Sequence, residues 1–455
     1  MAEQEKGLKK ELSARQMAMV AVGGSIGTGL LLGSGAAIQV AGPAVVLSYV
    51  LSALIAWTVA LALGEMSSVH PAAGSFGVYA ELYLNPWAGF MARYGYWFSV
   101  VIAIGSDVVA AGTFIQLWFP QIPVVFWMLV FGLFLVVINL FSVGDYGAFE
   151  YWFAMIKVVT IFVFILMGAV LLFGGKVQPQ YVSHGGFAPK GWFASLMATS
   201  FALYSFLGIE MVAVSSGEAR TAKEIRRATN LAFAVLAFVY LGAMAILVGV
   251  MRWQQAGVAQ SPFVTVFSVA GIRSVGFIMN VVVLTAALSA ANASLYVASR
   301  MLFSLARSGF APRNVGTLNR HGVPMRALLA SMAGIVGAIL LQLRTKENTY
   351  LYIINVSLVG GMIAWLVSLL AHVRFRRTVS PEQLTAAGLR SPLGAAGSIL
   401  GFVAIVASIV CTWWGLQSKV AAKSAGIYLV ALSVAYLLVR KKNAPAKSGS
   451  AVSND

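Results

Sequence analysis

Charge is what this sequence lacks most. Only 10% of its 455 residues are Asp, Glu, Lys or Arg, while 60% are hydrophobic. Soluble domains carry about 25% charged residues, so a water-exposed surface of ordinary composition is excluded and an integral membrane protein is implied. Cysteine is almost missing. Cys411 stands alone, which rules out an internal disulfide and leaves a small core residue. The four histidines, His70, His184, His321 and His372, are expected at helix ends or in loops, widely separated and without HExxH spacing, so no metal site is predicted. No GxSxG sequence stands on the strand-to-helix turn of a nucleophile elbow, the one match (Gly23–Gly27) lying within a long apolar run, and no Walker loop occurs, which removes support for acyl transfer and nucleotide hydrolysis. The reading is of a protein that is not an enzyme, with no catalytic residues and no cofactor.

Long apolar runs are abundant. About twelve stretches reach the ~20 residues that a hydrocarbon core requires; we place them at 16–40, 43–69, 88–118, 124–142, 148–173, 192–218, 228–251, 275–306, 327–343, 350–373, 396–416 and 424–439. Residues 1–15 are polar and of mixed charge, and the first run is too long for a signal peptide, so the first span is expected to stay. The net charge of +17 raises the question of nucleic acid, which the placement of the charge answers. With the N-terminus inside, 22 of the 31 Lys and Arg fall in inner segments, 8 in outer ones, and Lys157 alone within a span. That bias is the positive-inside signature, so the partner is the bilayer and not a nucleic acid, and both termini are expected in the cytoplasm. No loop is long enough for a soluble domain. A single transporter domain over 16–440 and a disordered tail over 441–455 are expected.

Within the first apolar run lies "VGGSIGTGLLLGSG", Val22 to Gly35, in which six of fourteen residues are glycine. Glycine costs about 1 kcal/mol of helix propensity relative to alanine. One glycine is explained by close helix packing; a cluster predicts unwound backbone, which survives at membrane depth only where it lines a cavity or is buried in protein. The sixth span carries a second interruption, "YSFLGIE", Tyr204 to Glu210. The two lie five spans apart and so enter the membrane from opposite sides, the arrangement of an inverted repeat with paired broken helices. Where the first span restarts, the amides of Thr28 and Gly29 suit a carboxylate, and missing side chains at Gly24, Gly27 and Gly29 allow close approach. Carbonyls near Tyr204, Ser205 and Leu207 are expected to be free for an ammonium. A free amino acid has both groups.

Several stretches carry a family resemblance: "GGSIGTGLLLGSG" from Gly23, "GPAVVLSY" from Gly42, "LGEM" from Leu63, "PAAGSFGVYA" from Pro71, "EYWFAMIKV" from Glu150, "SFLGIEMVAVSSGEA" from Ser205, "LSAANASLYVASRMLFSLARSGFAPR" from Leu288, "HGVP" from His321 and "HVRFRR" from His372. In order and spacing the chain resembles the bacterial amino acid permease branch of the amino acid, polyamine and organocation superfamily, which includes aromatic, lysine and γ-aminobutyrate permeases. The resemblance implies an all-α polytopic fold of the leucine-transporter kind, with a 5+5 inverted-repeat core (16–173 and 192–373), two peripheral helices (396–439), and spans one and six broken in mid-membrane. It implies that a substrate carboxylate meets Gly27, Thr28 and Gly29, and that the amino group meets carbonyls of Ser25, Tyr204 and Leu207. Tyr204 or Phe206 would close over the substrate.

An ionisable group inside the bilayer costs at least roughly 2.5 to 3.5 kcal/mol at the centre and is a functional candidate by default. Lys157 is the basic residue well inside a span. In sodium-independent relatives a lysine of the fifth span takes the place of a bound cation, so the resemblance makes Lys157 a proton-coupling residue, with Ser289 and Asn292 nearby; a structural ion pair is the alternative. Glu210, just after the second interruption, either carries a coupled proton or fixes the broken backbone. Glu218 and Glu65 read as gating or structural acids. Asp107 faces either the side-chain pocket, where it would attract a cationic substrate, or a structural network, which is the preferred reading. The expected function is proton-coupled symport of a neutral amino acid across the cytoplasmic membrane. Carriage of lysine or another cationic amino acid, amino acid exchange and a passive channel are the alternatives.

Overall fold

In the computed structural model of the protein, residues 12–72, 75–140, 146–271, 273–319, 323–345, 349–386, 389–413 and 419–443 are described. Their regular structure is helical, and one isolated bridge joins Leu12 to Ala219. In chain order the helices are α1 (Ala14–Ser25), α2 (Ser34–Ala41), α3 (Val45–Val69), α4 (Ser75–Tyr83), α5 (Pro86–Gln116), α6 (Val124–Leu140), α7 (Tyr146–Phe173), α8 (Trp192–Phe206) and α9 (Met211–Val214). They continue with α10 (Ala222–Val250), α11 (Pro262–Val269), α12 (Arg273–Arg307), α13 (Met325–Ser331), α14 (Ala333–Thr345), α15 (Thr349–Thr378), α16 (Pro381–Ala386), α17 (Gly394–Thr412) and α18 (Lys419–Asn443).

Local chemistry sets several of these ends. Ser13 starts α1 with a capping box: its Oγ accepts the Gln16 N–H (3.4 Å) while Gln16 Oε1 accepts the Ser13 N–H (3.0 Å), which satisfies two of the amides a helix start leaves unpaired. Asn85 does the same for α5, accepting the Ala88 N–H at 2.8 Å with Pro86 in the first turn. Gly42 ends α2 at φ 63° and ψ −149°, and Pro43 follows.

Among the described residues nine helical stretches are long and apolar enough to cross a membrane, and two shorter apolar helices, Val124–Asn139 and Lys423–Val439, accompany them. The nine treat Gly29–Val69 as one stretch, because α2, the tight turn at Gly42 and α3 follow without a gap. The expected ninth span is two pieces, α13 and α14, and the short helices α4, α11 and α16 lie in segments read as loops. Helix α18 runs to Asn443; the rest of the expected tail, the first eleven residues and His321 lie outside the described residues.

Helix α5 runs through the centre against α12, α14 and α15, and glycine makes that approach possible. A Cβ on Gly105 would stand 2.6 Å from the Gly334 carbonyl oxygen, and one on Gly360 would overlap the Gly95 carbonyl oxygen. Close backbone contact of this kind is how membrane helices gain packing when lipid removes the hydrophobic drive between them. The outer faces of α6, α7 and α18 expose Leu133, Val170 and Val430, each by more than 60%, as a lipid-facing surface requires.

Candidate functional site

Two interruptions meet at the centre. Helix α1 ends at Ser25 and helical backbone resumes in the π turn Gly29–Gly33; α8 ends at Phe206 and α9 begins at Met211. They touch at Gly208, whose φ of 114° is open to glycine and rare for any other residue. A Cβ there would sit 2.6 Å from Ser25 Oγ and 2.8 Å from Ser25 N, so the contact is backbone against backbone. Gly29 supplies the reciprocal fit: its missing Cβ leaves room for the Tyr204 ring (2.9 Å) and Ser205 Cα (3.1 Å).

Side chains from other helices take up the carbonyls that the interruptions release. The Lys157 ammonium on α7 donates to Gly23 O (2.8 Å). On α10, the Tyr240 hydroxyl stands 2.8 Å from Ser25 O and 2.7 Å from Ser205 O, bridging the two interruptions. The Tyr350 hydroxyl on α15 donates to Thr28 O (2.7 Å), and Leu207 N–H donates to Tyr204 O (3.3 Å). The carbonyls expected to be free near Tyr204 and Ser205 are therefore already occupied, because buried backbone oxygens at membrane depth need partners whether or not a ligand is bound. Glu210 turns back on its own interruption: both carboxylate oxygens lie 3.0 Å from the Gly208 N–H, and Oε2 also accepts from Trp365 Nε1 (3.1 Å).

Between the interruptions is a small cavity of about 50 Å³. One wall is Gly24, Ser25, Gly27, Thr28 and Gly29; the opposite wall is Tyr204, Leu207, Gly208, Glu210 and Met211. Helix α5 closes it with Tyr96, Ser99, Val100, Ala103 and Asp107, and α12 and α15 add Ala290, Ser294 and Ser357. The structure thus gathers Ser25, Gly27, Thr28, Gly29, Tyr204, Leu207, Glu210 and Asp107 in one place. Asp107, preferred as a member of a network away from the pocket, has both positions: it lines the cavity, and its Oδ1 accepts the Thr28 hydroxyl at 2.6 Å. Phe206 is not on the cavity. It is fully buried with its ring against Tyr240 (centroids 4.7 Å apart), so of the two aromatic candidates Tyr204 is the one placed to cover a ligand.

Ser289 and Asn292 do not line the cavity. Ser289 Oγ is buried without a hydrogen-bond partner, and Asn292 Oδ1 accepts from Asn139 Nδ2 (2.7 Å) on α6. Glu65 is paired with His372 and Arg376; the side chain of Glu218 lies outside the described residues. His372 corrects the expectation that the histidines sit at helix ends or in loops: it is buried inside α15, where a carboxylate satisfies the ring. Sequence reasoning missed Tyr96, Tyr240, Tyr350 and Trp365. A signal existed, since a tyrosine or tryptophan within an apolar span brings a polar hydrogen that must find an acceptor.

The sequence as a whole matches the family model "Amino acid permease" over residues 16–443. The chain belongs to the amino acid permease family. It is 34% identical to the γ-aminobutyric acid permease of Bacillus subtilis over 99% of this chain and 97% of that protein. It is 35% identical to the aromatic amino acid transport protein AroP of Escherichia coli over 95% and 96%. The probable threonine/serine transporter YbxG of Bacillus subtilis is 32% identical over 95% of each. Among solved structures, the manganese transporter of Eremococcus coleocola superposes with a TM-score of 0.62 over 96% of this chain and 99% of that one, at 13% identity, a likeness of fold alone. The permease is thus a membrane transporter of the APC superfamily and not an enzyme.

Proposed function

We propose that the permease is a proton-coupled symporter that carries a neutral amino acid into the cell by alternating access. The observation that carries this reading is the contact of the two interruptions across one cavity, with Gly208 against Ser25 and Tyr204 against Gly29. The substrate carboxylate would rest on the amides of Gly27, Thr28 and Gly29, and its ammonium would take the Ser25, Tyr204 and Leu207 carbonyls, displacing part of the Tyr240 contact. The substrates named for the relatives, γ-aminobutyrate, aromatic amino acids and threonine or serine, differ in side chain but share a carboxylate and an ammonium. Recognition of those shared ends by backbone accounts for that breadth. In this reading the chain forms twelve spans, two inverted five-helix units and two peripheral helices, in the cytoplasmic membrane with both termini inside.

Lys157 is the proposed coupling group. Bonded to Gly23 O beneath the first interruption, it reports substrate-driven movement of α1 directly to a titratable ammonium, and Glu210 and Asp107 stand on the cavity wall as further proton sites. Moving one charge inward yields about 2.3 kcal/mol per 100 mV of membrane potential, enough to drive concentrative uptake. Asp107 on the cavity wall favours a second reading, in which the side-chain pocket takes a cationic amino acid.

Uptake of a panel of radiolabelled amino acids into proteoliposomes, under an imposed proton or sodium gradient, tests this. We expect saturable uptake of neutral amino acids driven by protons alone, and in Lys157→Ala loss of net uptake with exchange retained. A requirement for sodium, or an unaffected Lys157→Ala, overturns the coupling role. Selective uptake of lysine transfers the reading to the cationic class.

A further inference from the structure

Away from the cavity, three helices converge on one carboxylate. Glu65 of α3 and His372 of α15 are both completely buried. Glu65 Oε2 lies 2.8 Å from His372 Nε2 and accepts from Arg376 Nε at 3.0 Å. A carboxylate oxygen only accepts, so Nε2 carries the hydrogen. The ring's other nitrogen, Nδ1, lies 2.7 Å from Ser398 Oγ on α17, and Arg376 reaches on to the Ser391 carbonyl (2.9 Å) ahead of that helix. Glu65 Oε1 has no hydrogen-bond partner. A buried ionic cluster with an orphaned oxygen is a poor source of stability, since well-packed apolar residues would do as well; its best-attested use is to fix register.

The register in question is that of α15. Trp365, His372 and Arg376 follow at intervals of seven and four residues and so share one face. At the upper end Trp365 Nε1 donates to Glu210 in the second interruption; about 10 Å further along, at 1.5 Å per residue, His372 and Arg376 grip Glu65. We infer that Glu65, His372 and Arg376 are positioning residues for transport, holding the rotation and height of α15 so that Trp365 meets Glu210 at the helix interruption. Slipping α15 by one residue turns its face by about 100°, which carries the indole N–H off the carboxylate entirely. The inference rests on the cavity being the substrate site, and its structural part can be measured without that assumption.

The test uses the full chain in nanodiscs, labelled with 5-fluorotryptophan, with the Trp365 resonance assigned by Trp365→Phe. Glu65→Gln and His372→Gln are expected to shift or split that resonance. Ser398→Ala, which removes only the outer partner of the ring, is expected to shift it less and serves if the other two variants do not fold. Leu133→Ala, on the lipid-facing surface of α6, is the control and should leave it in place. In transport, Glu65→Gln and Trp365→Phe should each raise KM about fivefold, the effect of losing one hydrogen bond, with Vmax within about twofold, and the double variant should be no worse than either alone. An unmoved Trp365 resonance in all three cluster variants, or effects that multiply in the double variant, overturns the positioning role. A wild-type protein that carries no amino acid removes the proposed function and leaves the fluorine signal to decide the positioning.

Discussion

Tyr240 places a single hydroxyl against two carbonyls, Ser25 O and Ser205 O, and so ties the two interruptions together; Ser25 O also accepts the Gly27 N–H (2.9 Å). Tyr240→Phe keeps the ring against Phe206 and removes only that link. We expect KM to rise about fivefold, for a hydrogen bond of ~1 kcal/mol, with protein yield unchanged; initial-rate uptake measures it. Gly208 is the stricter residue. Alanine there meets Ser25 Oγ at 2.6 Å in a backbone conformation of φ 114°, and strain of about 1 to 3 kcal/mol falls on the contact between the two interruptions. Gly208→Ala should lower uptake about tenfold or more while the protein still elutes as a single species in detergent.

At the scale of the element, the first interruption is held by groups from elsewhere in the chain and the second by its own carboxylate. Helix α1 stops because Ser25 and Thr28 give their carbonyls to tyrosines of α10 and α15; α8 stops because Glu210 folds back onto the Gly208 amide. Glu210→Gln keeps one acceptor oxygen and the Trp365 contact, so it should preserve exchange and impair only proton-driven uptake if this carboxylate takes part in coupling. The rigid part of the molecule has a different requirement. Gly334 on α14 lies so close to Val101 of α5 that a Cβ would overlap the Val101 carbonyl, and Gly334→Val must push the helices apart. Overpacking costs about 1 to 3 kcal/mol, so the melting temperature in detergent should fall by a few degrees.

For the whole molecule, the distribution of basic residues carries a prediction about orientation. Single cysteines introduced into a Cys411→Ser background at Ser13 and at Ser183 should react with a membrane-impermeant maleimide from opposite sides of the membrane, Ser183 from outside. Labelling of both from one side would overturn the proposed topology. The same scale separates what was legible from what was not. The apolar runs, the glycine cluster at Gly23–Gly35 and the second interruption at Tyr204–Glu210 are local features, and local features survive in a linear reading. The roles of Tyr96, Tyr240, Tyr350 and Trp365 were not legible, because each depends on which face of a long helix turns inward. In α3 and α15 polar and apolar positions are spread around the helix rather than segregated, so no polar stripe marks that face.

The sequence by itself determined that this protein lives in a membrane, that it is helical, where glycine and polar residues fall within two of its apolar runs, and which family it belongs to. The first two follow from composition and from run length against bilayer thickness. Only the tertiary structure decided that Asp107 shares the cavity with Glu210, that Tyr204 lines it while Phe206 lies off it against Tyr240, and that Glu65 of α3 is held by His372 and Arg376 of α15. The reason is physical: burial away from water drives backbone and most side-chain polar groups to find partners, and partners more than 300 residues apart meet only when the helices pack.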